Sequence, residues 1–176
     1  GPTAQSVVDE IIKAGGEAIA NTASVVSEEG AESIVADALS AFGTVDILVN
    51  NAGGPPGGPL LNATVEELAQ PFSRHLHAAH TLVKLLTPGM IMANYGRIIQ
   101  IVSTSVREPI PNLGVSNTLR GAMASWAKSL SRELHPCITI NIPRRWLNNN
   151  FIIHSYITFY FIAYFYDNTR SIRTKN

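Results

Sequence analysis

The sequence predicts an α/β fold built on an open, doubly wound parallel sheet. Three observations carry this expectation. Apolar residues recur at helical spacing in several long stretches. Between them lie short runs rich in Val and Ile, at Val45 to Val49, Arg97 to Ser103 and Ile138 to Ile142. Runs of that length and composition suit strands buried on both faces. Strands that alternate with helices form parallel βαβ units, and 176 residues allow one domain with a sizeable core.

The first helix is expected from Ala4 to Lys13, where Val7, Val8, Ile11 and Ile12 share a face, and Gly15 and Gly16 stop it. Glu17 to Asn21 is short and reads as a strand. Ser27 before Glu28 and Glu29 caps a second helix, because acidic side chains suit the positive end of a helix dipole. Its stripe runs from Ala31 to Phe42, and Gly43 ends it. After the Val45–Val49 strand comes a loop of glycine and proline, Asn51 to Pro59. Thr64 with Glu67 three residues later is a capping box, and it launches a long helix striped by Val65, Leu68, Phe72, Leu76, Ala79, Val83 and Leu86. Pro71 lies near its start and kinks or separates the first turn. Tyr95-Gly96 turns the chain into the second strand. Leu119, Ala122, Met123, Trp126, Leu130 and Leu134 stripe a last helix, Val115–His135, before the third strand. Trp126 belongs on these grounds to the core or to a helix–helix interface.

Formal net charge is zero, which argues against a nucleic-acid partner and against a polybasic membrane-surface role. One cysteine, Cys137, excludes an internal disulfide, so a reducing, cytoplasmic compartment is expected. The start at GPTAQ shows no charged and then apolar leader pattern and reads as an excision from something longer. His75, His77 and His80 cluster on one helix, but no carboxylate or thiol accompanies them at ligand spacing, so no metal is expected.

The motif with the most information is Asp46 to Gly53, DILVNNAG. It sets two asparagines, an alanine and a glycine at the carboxyl end of a strand, the edge where open α/β sheets bind ligands. This motif resembles the NNAG signature of the short-chain dehydrogenase/reductase family. YGRIIQIVS, SLSREL and ITIN follow in the family's order and spacing, so the resemblance covers roughly residues 4 to 142. It implies a Rossmann-like fold, NAD or NADP as cofactor without choosing between them, and hydride transfer with a small-molecule carbonyl or alcohol substrate. Asn51, Ala52 and Gly53 would lie against the cofactor, with Ser24 and Val25 near its adenine. The family commonly associates through the two long helices, so a homodimer or homotetramer is implied.

The sequence also departs from that pattern. The family's opening strand, glycine-rich phosphate turn and second strand are not in these residues, so the sheet is expected to lack its first βαβ portion. Gly53 to Gly58 is no substitute, because it follows a different strand and its prolines remove N–H donors. Without that first strand, Glu17–Asn21 has no neighbour and Val45–Val49 has an open edge. Ser103 matches the family's serine, which would hydrogen-bond the substrate carbonyl. Ser116 stands at the tyrosine position, Arg120 at the lysine position and His75 at the asparagine position. An aliphatic hydroxyl is a far weaker proton donor than a phenol. Arg120 stays charged and can still hold ribose hydroxyls or a phosphate, and His75 is a candidate titrating group. The alternative to an active oxidoreductase is therefore a catalytically inactive fragment or pseudoenzyme.

The resemblance ends after ITIN, which divides the chain into a partial dehydrogenase domain at 1–142 and an unrelated tail at 143–176. Of the 13 aromatic residues, nine lie between Trp146 and Tyr166. The apolar run Phe151 to Tyr166 falls short of the roughly 18 to 20 residues that span a bilayer. Its Ile, Tyr and Phe content favours strand over helix. Translation past a broken or intronic reading frame explains it better than a membrane anchor.

Overall fold

A computed structural model describes residues 3–143. The tail expectations fall on residues outside that range. Three strands, β1 (Ile47–Asn50), β2 (Gly96–Gln100) and β3 (Ile138–Asn141), form one parallel sheet in the order β1-β2-β3. Five helices accompany it: α1 (Ala4–Lys13), α2 (Glu28–Phe42), α3 (Val65–Phe72), α4 (Ala78–Met92) and α5 (Gly114–Leu130). The register pairs Leu48 with Ile98 and Asn50 with Gln100, and on the other side Ile98 with Ile140.

The caps read from sequence at Ser27 and Thr64 are present. The Ser27 side chain accepts an N–H bond at the start of α2, and Thr3, which the sequence reading did not single out, does the same for α1. Thr64 and Glu67 close a reciprocal capping box at 3.0 and 3.2 Å. Gly43 ends α2 at φ 77°, a backbone conformation that a side chain would strain. Gly30 is needed for a different reason. The Ser24 carbonyl lies where a Cβ would sit, so the first turn of α2 packs directly on the Ser24–Val25 loop.

The long helix is divided. Pro71 sits inside α3 and has no N–H to donate, and a π-helical turn at Ser73–His77 follows before α4 resumes. That wide turn carries His75.

Two expectations need correction. Glu17–Asn21 is extended but pairs with nothing among the described residues, and so is not a strand. The sheet stops at β1, which leaves no partner for it, and an apolar groove of about 200 Å³ runs between this segment, α1, α2 and β1. The strands are also not buried on both faces. Leu48, Gly96, Ile98, Gln100 and Ile138 are buried, while Ile47, Val49, Arg97 and Ile99 are only partly so. The main core joins the buried face to α2 and α4 through Ile34, Val35, Leu82, Leu86 and Met90. A second cluster packs Ala79 of α4 against Leu119 and Met123 of α5. Trp126 lies against both clusters and meets His80 edge-on at 6.4 Å, which agrees with its assignment to the core.

Central burial should dominate stability. Ile98 is wholly enclosed in the middle strand. Ile98→Ala should cost about 2–5 kcal/mol through lost burial and a residual cavity, whereas Thr64→Ala should cost about 1 kcal/mol through loss of one cap. Urea denaturation followed by circular dichroism measures both, and equal losses would contradict this placement of the core.

Candidate active site

The carboxyl ends of β1 and β2 converge on a cluster of buried polar side chains. β1 continues from Asn50 into Asn51, Ala52 and Gly53, and the Ile101 N–H donates to the Asn50 carbonyl at 2.9 Å. Alternation along the strand turns Asn50 inward at 5 % exposure, while Asn51 is exposed. Gln100, its registered neighbour on β2, is 2 % exposed.

Arg120 ties this edge together. Its guanidinium donates to the Ile101 and Ala52 carbonyls, each at 3.3 Å, so α5 is bonded to both strand ends. The side chain is buried, and its Nε has no partner among the described residues. Burial lowers the Arg120 pKa from its ordinary value, yet a guanidinium keeps its charge. Ser116 precedes Arg120 by one helical turn, on the same face of α5, and is also buried. The glycine-rich loop after β1 is pinned to the start of α5, since the Gly58 N–H donates to Asn112 and the Gly114 N–H to Gly58.

Ser103 lies three residues past β2 and caps a short 3₁₀ turn at Thr104–Val106. Its Oγ accepts the Ser105 N–H at 3.2 Å, which leaves its own proton free to donate elsewhere. His75 comes from the π turn and is 3 % exposed. Together with Asn50, Ala52, Arg74 and Gln100 it lines one small cavity. Burial first, then the positive charges of Arg120 and Arg74, lowers its pKa from 6.5 to about 4. At neutral pH the ring is therefore uncharged. Ser24 and Val25 precede α2, with Val25 buried in the main core and Ser24 exposed, the Ser24 hydroxyl accepting the Val26 N–H.

The structure thus brings Ala52, His75 and Arg120 into one neighbourhood and puts Ser116 on the Arg120 face. Sequence reasoning placed Asn50 in the edge motif without giving it a role, and missed Gln100 and Arg74. Gln100 did carry a signal, because a lone amide in the apolar run RIIQIV has to be partnered or aimed at something.

The depressed His75 pKa has a stability consequence with a definite sign. Between pH 6.5 and about 4 the unfolded chain binds a proton that the folded chain does not. Stability should be constant above that window and fall as pH drops through it, by at most roughly 3 kcal/mol. His75→Leu should flatten that slope. Urea midpoints across pH 4 to 7 test it, and an unchanged slope would remove His75 as the cause.

With this geometry established, comparison with known proteins is informative. A family model described as short chain dehydrogenase matches residues 2–143. The 2,3-dihydroxy-2,3-dihydro-p-cumate dehydrogenase of Pseudomonas putida is 38% identical over 127 residues, 71% of this chain and 49% of that protein. A 3-oxoacyl-[acyl-carrier-protein] reductase of Synechocystis is 32% identical over 133 residues, 74% of this chain and 53% of that one. Among solved structures, a short chain dehydrogenase/reductase from Burkholderia phymatum in complex with NAD is 25% identical, with a TM-score of 0.73 over 79% of this chain and 51% of that chain. A metagenomic short-chain oxidoreductase in complex with NADP is 28% identical, with a TM-score of 0.71 over 78% and 63%. The chain thus spans about half the length of the curated relatives it matches. The family match and the parallel sheet agree: this chain belongs to the short-chain dehydrogenase family.

Proposed function

We propose that this chain serves an NAD- or NADP-dependent oxidoreductase of the short-chain type, which moves a hydride between a nicotinamide and a small-molecule carbonyl or alcohol. The observation that carries this reading is the buried Arg120 guanidinium, bonded to the Ala52 and Ile101 carbonyls at the carboxyl edge of the sheet. A fixed cation there, beside the small residues Ala52 and Gly53, suits ribose hydroxyls and the nicotinamide end of a dinucleotide. Solved relatives hold NAD and NADP. Asn51 would flank the same end, and Ser24 and Val25 the adenine. The fit covers these two ends, since residues 1–143 contain no TGxxxGxG turn to cradle the pyrophosphate.

The dinucleotide, when bound, supplies or accepts the hydride. The chain's own residues do the rest. The Ser103 hydroxyl, with its oxygen already held by the Ser105 N–H, donates a hydrogen bond to the substrate oxygen. The positive charge of Arg120 favours negative charge that develops on that oxygen. Ser116 is the hydroxyl nearest the family's proton-donor position. It is a weak acid, so proton transfer limits the rate. Uncharged at neutral pH, His75 does not provide that proton.

Val65 at 75% and Met92 at 87% exposure lie at the two ends of the long helix, which favours self-association along it. A reducing, cytoplasmic setting suits the single free Cys137. Among the described residues no helix is long and apolar enough to cross a membrane.

Fluorescence titration with NADH and NADPH tests cofactor binding. Arg120→Met should weaken it about tenfold or more, the worth of one or two charged hydrogen bonds. No binding of either dinucleotide would sink the proposal. Ser103→Ala should lower kcat/KM on a small ketone by on the order of 100-fold. Ser116→Tyr should raise kcat by up to about 100-fold, because it restores a phenol, and no gain would count against the place given to Ser116. Light scattering should give a mass of at least twice 19.0 kDa, and a monomer would exclude the helix-mediated dimer.

A further inference from the structure

Three side chains at the active edge are almost wholly buried, and each leaves one polar atom without a partner among the described residues. They are Asn50 Nδ2 at 5 %, His75 Nδ1 at 3 % and Gln100 Oε1 at 2 % exposure. They come from β1, the π turn and β2, and all three line the same cavity. Buried polar atoms of native proteins are almost always satisfied, so three orphans around one space need a common partner. The cavity has about 10 Å³ open to the centre of a water, the lower limit for holding one water molecule. That is too small for a carboxylate, a phosphate or any organic ligand.

We propose that Asn50, His75 and Gln100 bind a single internal water, and that through it Asn50 and Gln100 act as positioning residues that fix the ring of His75 in one tautomer. The hydrogen-bond count selects the arrangement. Asn50 Nδ2 can only donate and Gln100 Oε1 can only accept. A water that accepts from Asn50 and donates to both Gln100 and His75 Nδ1 uses both of its protons. The opposite tautomer, with Nδ1 protonated, would strand one water O–H in the interior. Stranded donors are rarer and costlier than spare lone pairs. The water therefore sets Nδ1 as acceptor and Nε2 as the protonated nitrogen. Nε2 is not among the enclosed, unpartnered atoms, so protonating it strands no donor in this cavity. The charged groups that act on the ring are Arg120 and Arg74, both positive. Burial first, and these charges after it, hold the imidazole neutral and so keep a donor and an acceptor on opposite sides of it. His75 then contributes a neutral N–H hydrogen bond rather than a proton.

Use of that N–H toward a bound carbonyl or nicotinamide rests on the oxidoreductase reading. The water and the ring tautomer do not, and they can be measured without any cofactor. Long-range ¹H–¹⁵N correlation spectra of the full 176-residue chain report the protonation of each ring nitrogen. Comparison with His75→Gln identifies the signals of His75. At pH 7 the expected result is an unprotonated Nδ1, a protonated Nε2, and a cross-relaxation peak between this cluster and a slowly exchanging water. A protonated Nδ1, averaged tautomers or no bound water would overturn the proposal. In Gln100→Leu the water peak should vanish and the two tautomers should average. Retention of both signatures in that variant would equally overturn it. A purely structural Gln100 would change the melting temperature but not the tautomer. If Gln100→Leu does not fold, the spectrum of the native chain decides alone. Failure of NADH to bind would refute the oxidoreductase reading and leave the tautomer and the water standing or falling on the spectrum.

Discussion

Two carbonyl oxygens, of Ala52 and Ile101, meet on one buried guanidinium. Each strand of a parallel sheet ends with backbone groups that the ladder no longer pairs. At the carboxyl edge these are mostly carbonyls, and an open edge of that kind accumulates negative potential. Arg120 neutralises it from the facing helix. It fixes the chain after β1 relative to the chain after β2, and it orients α5 against both. Ser116 lies one turn away on the same face of α5, and burial first, then the same charge, depresses the His75 pKa. The site is thus an electrostatic solution to a problem that the sheet itself creates. A lysine could supply the charge but not the fork that spans two carbonyls.

Much of this was legible from the residues. Local chemistry set the caps at Ser27 and Thr64, and periodicity marked four helical stretches, the longest of which the structure divides at Ser73–His77. Those features depend on neighbours in the chain. What was not legible depends on neighbours in space. Glu17–Asn21 has the composition of a strand, and it was the family resemblance, not composition, that said its neighbour would be missing. The apolar run at Val45–Val49 suggested burial on both faces, but only one face is packed by helices. The role of Gln100 required knowing that Asn50 sits opposite it. Ser103, Ser116 and His75 came from resemblance. Geometry has since separated them, because Ser103 keeps a hydrogen bond to donate while His75 is held neutral.

The half-covered sheet and the shortened match to relatives describe the same circumstance from two sides. The matched relatives are about twice as long as the aligned stretch, and the groove beside β1 is where the described chain runs out of sheet. The main core packs α2 and α4 on the buried face, and a second cluster joins α4 to α5.

The parallel ladder also governs how this chain reaches its fold. Ile47 pairs with Arg97, and Gly96 with Ile138, so every strand contact joins residues some forty to fifty positions apart. No hairpin among the described strands offers a cheap first step. Loop closure must come before any ladder bond forms, which places the chain among the slow folders. While β2 is being found, both edges of β1 are bare, and each molecule then offers Ile47 to Asn50 as a template to any extended segment it meets. Protein concentration during synthesis, as much as sequence, decides how many copies arrive at the folded state.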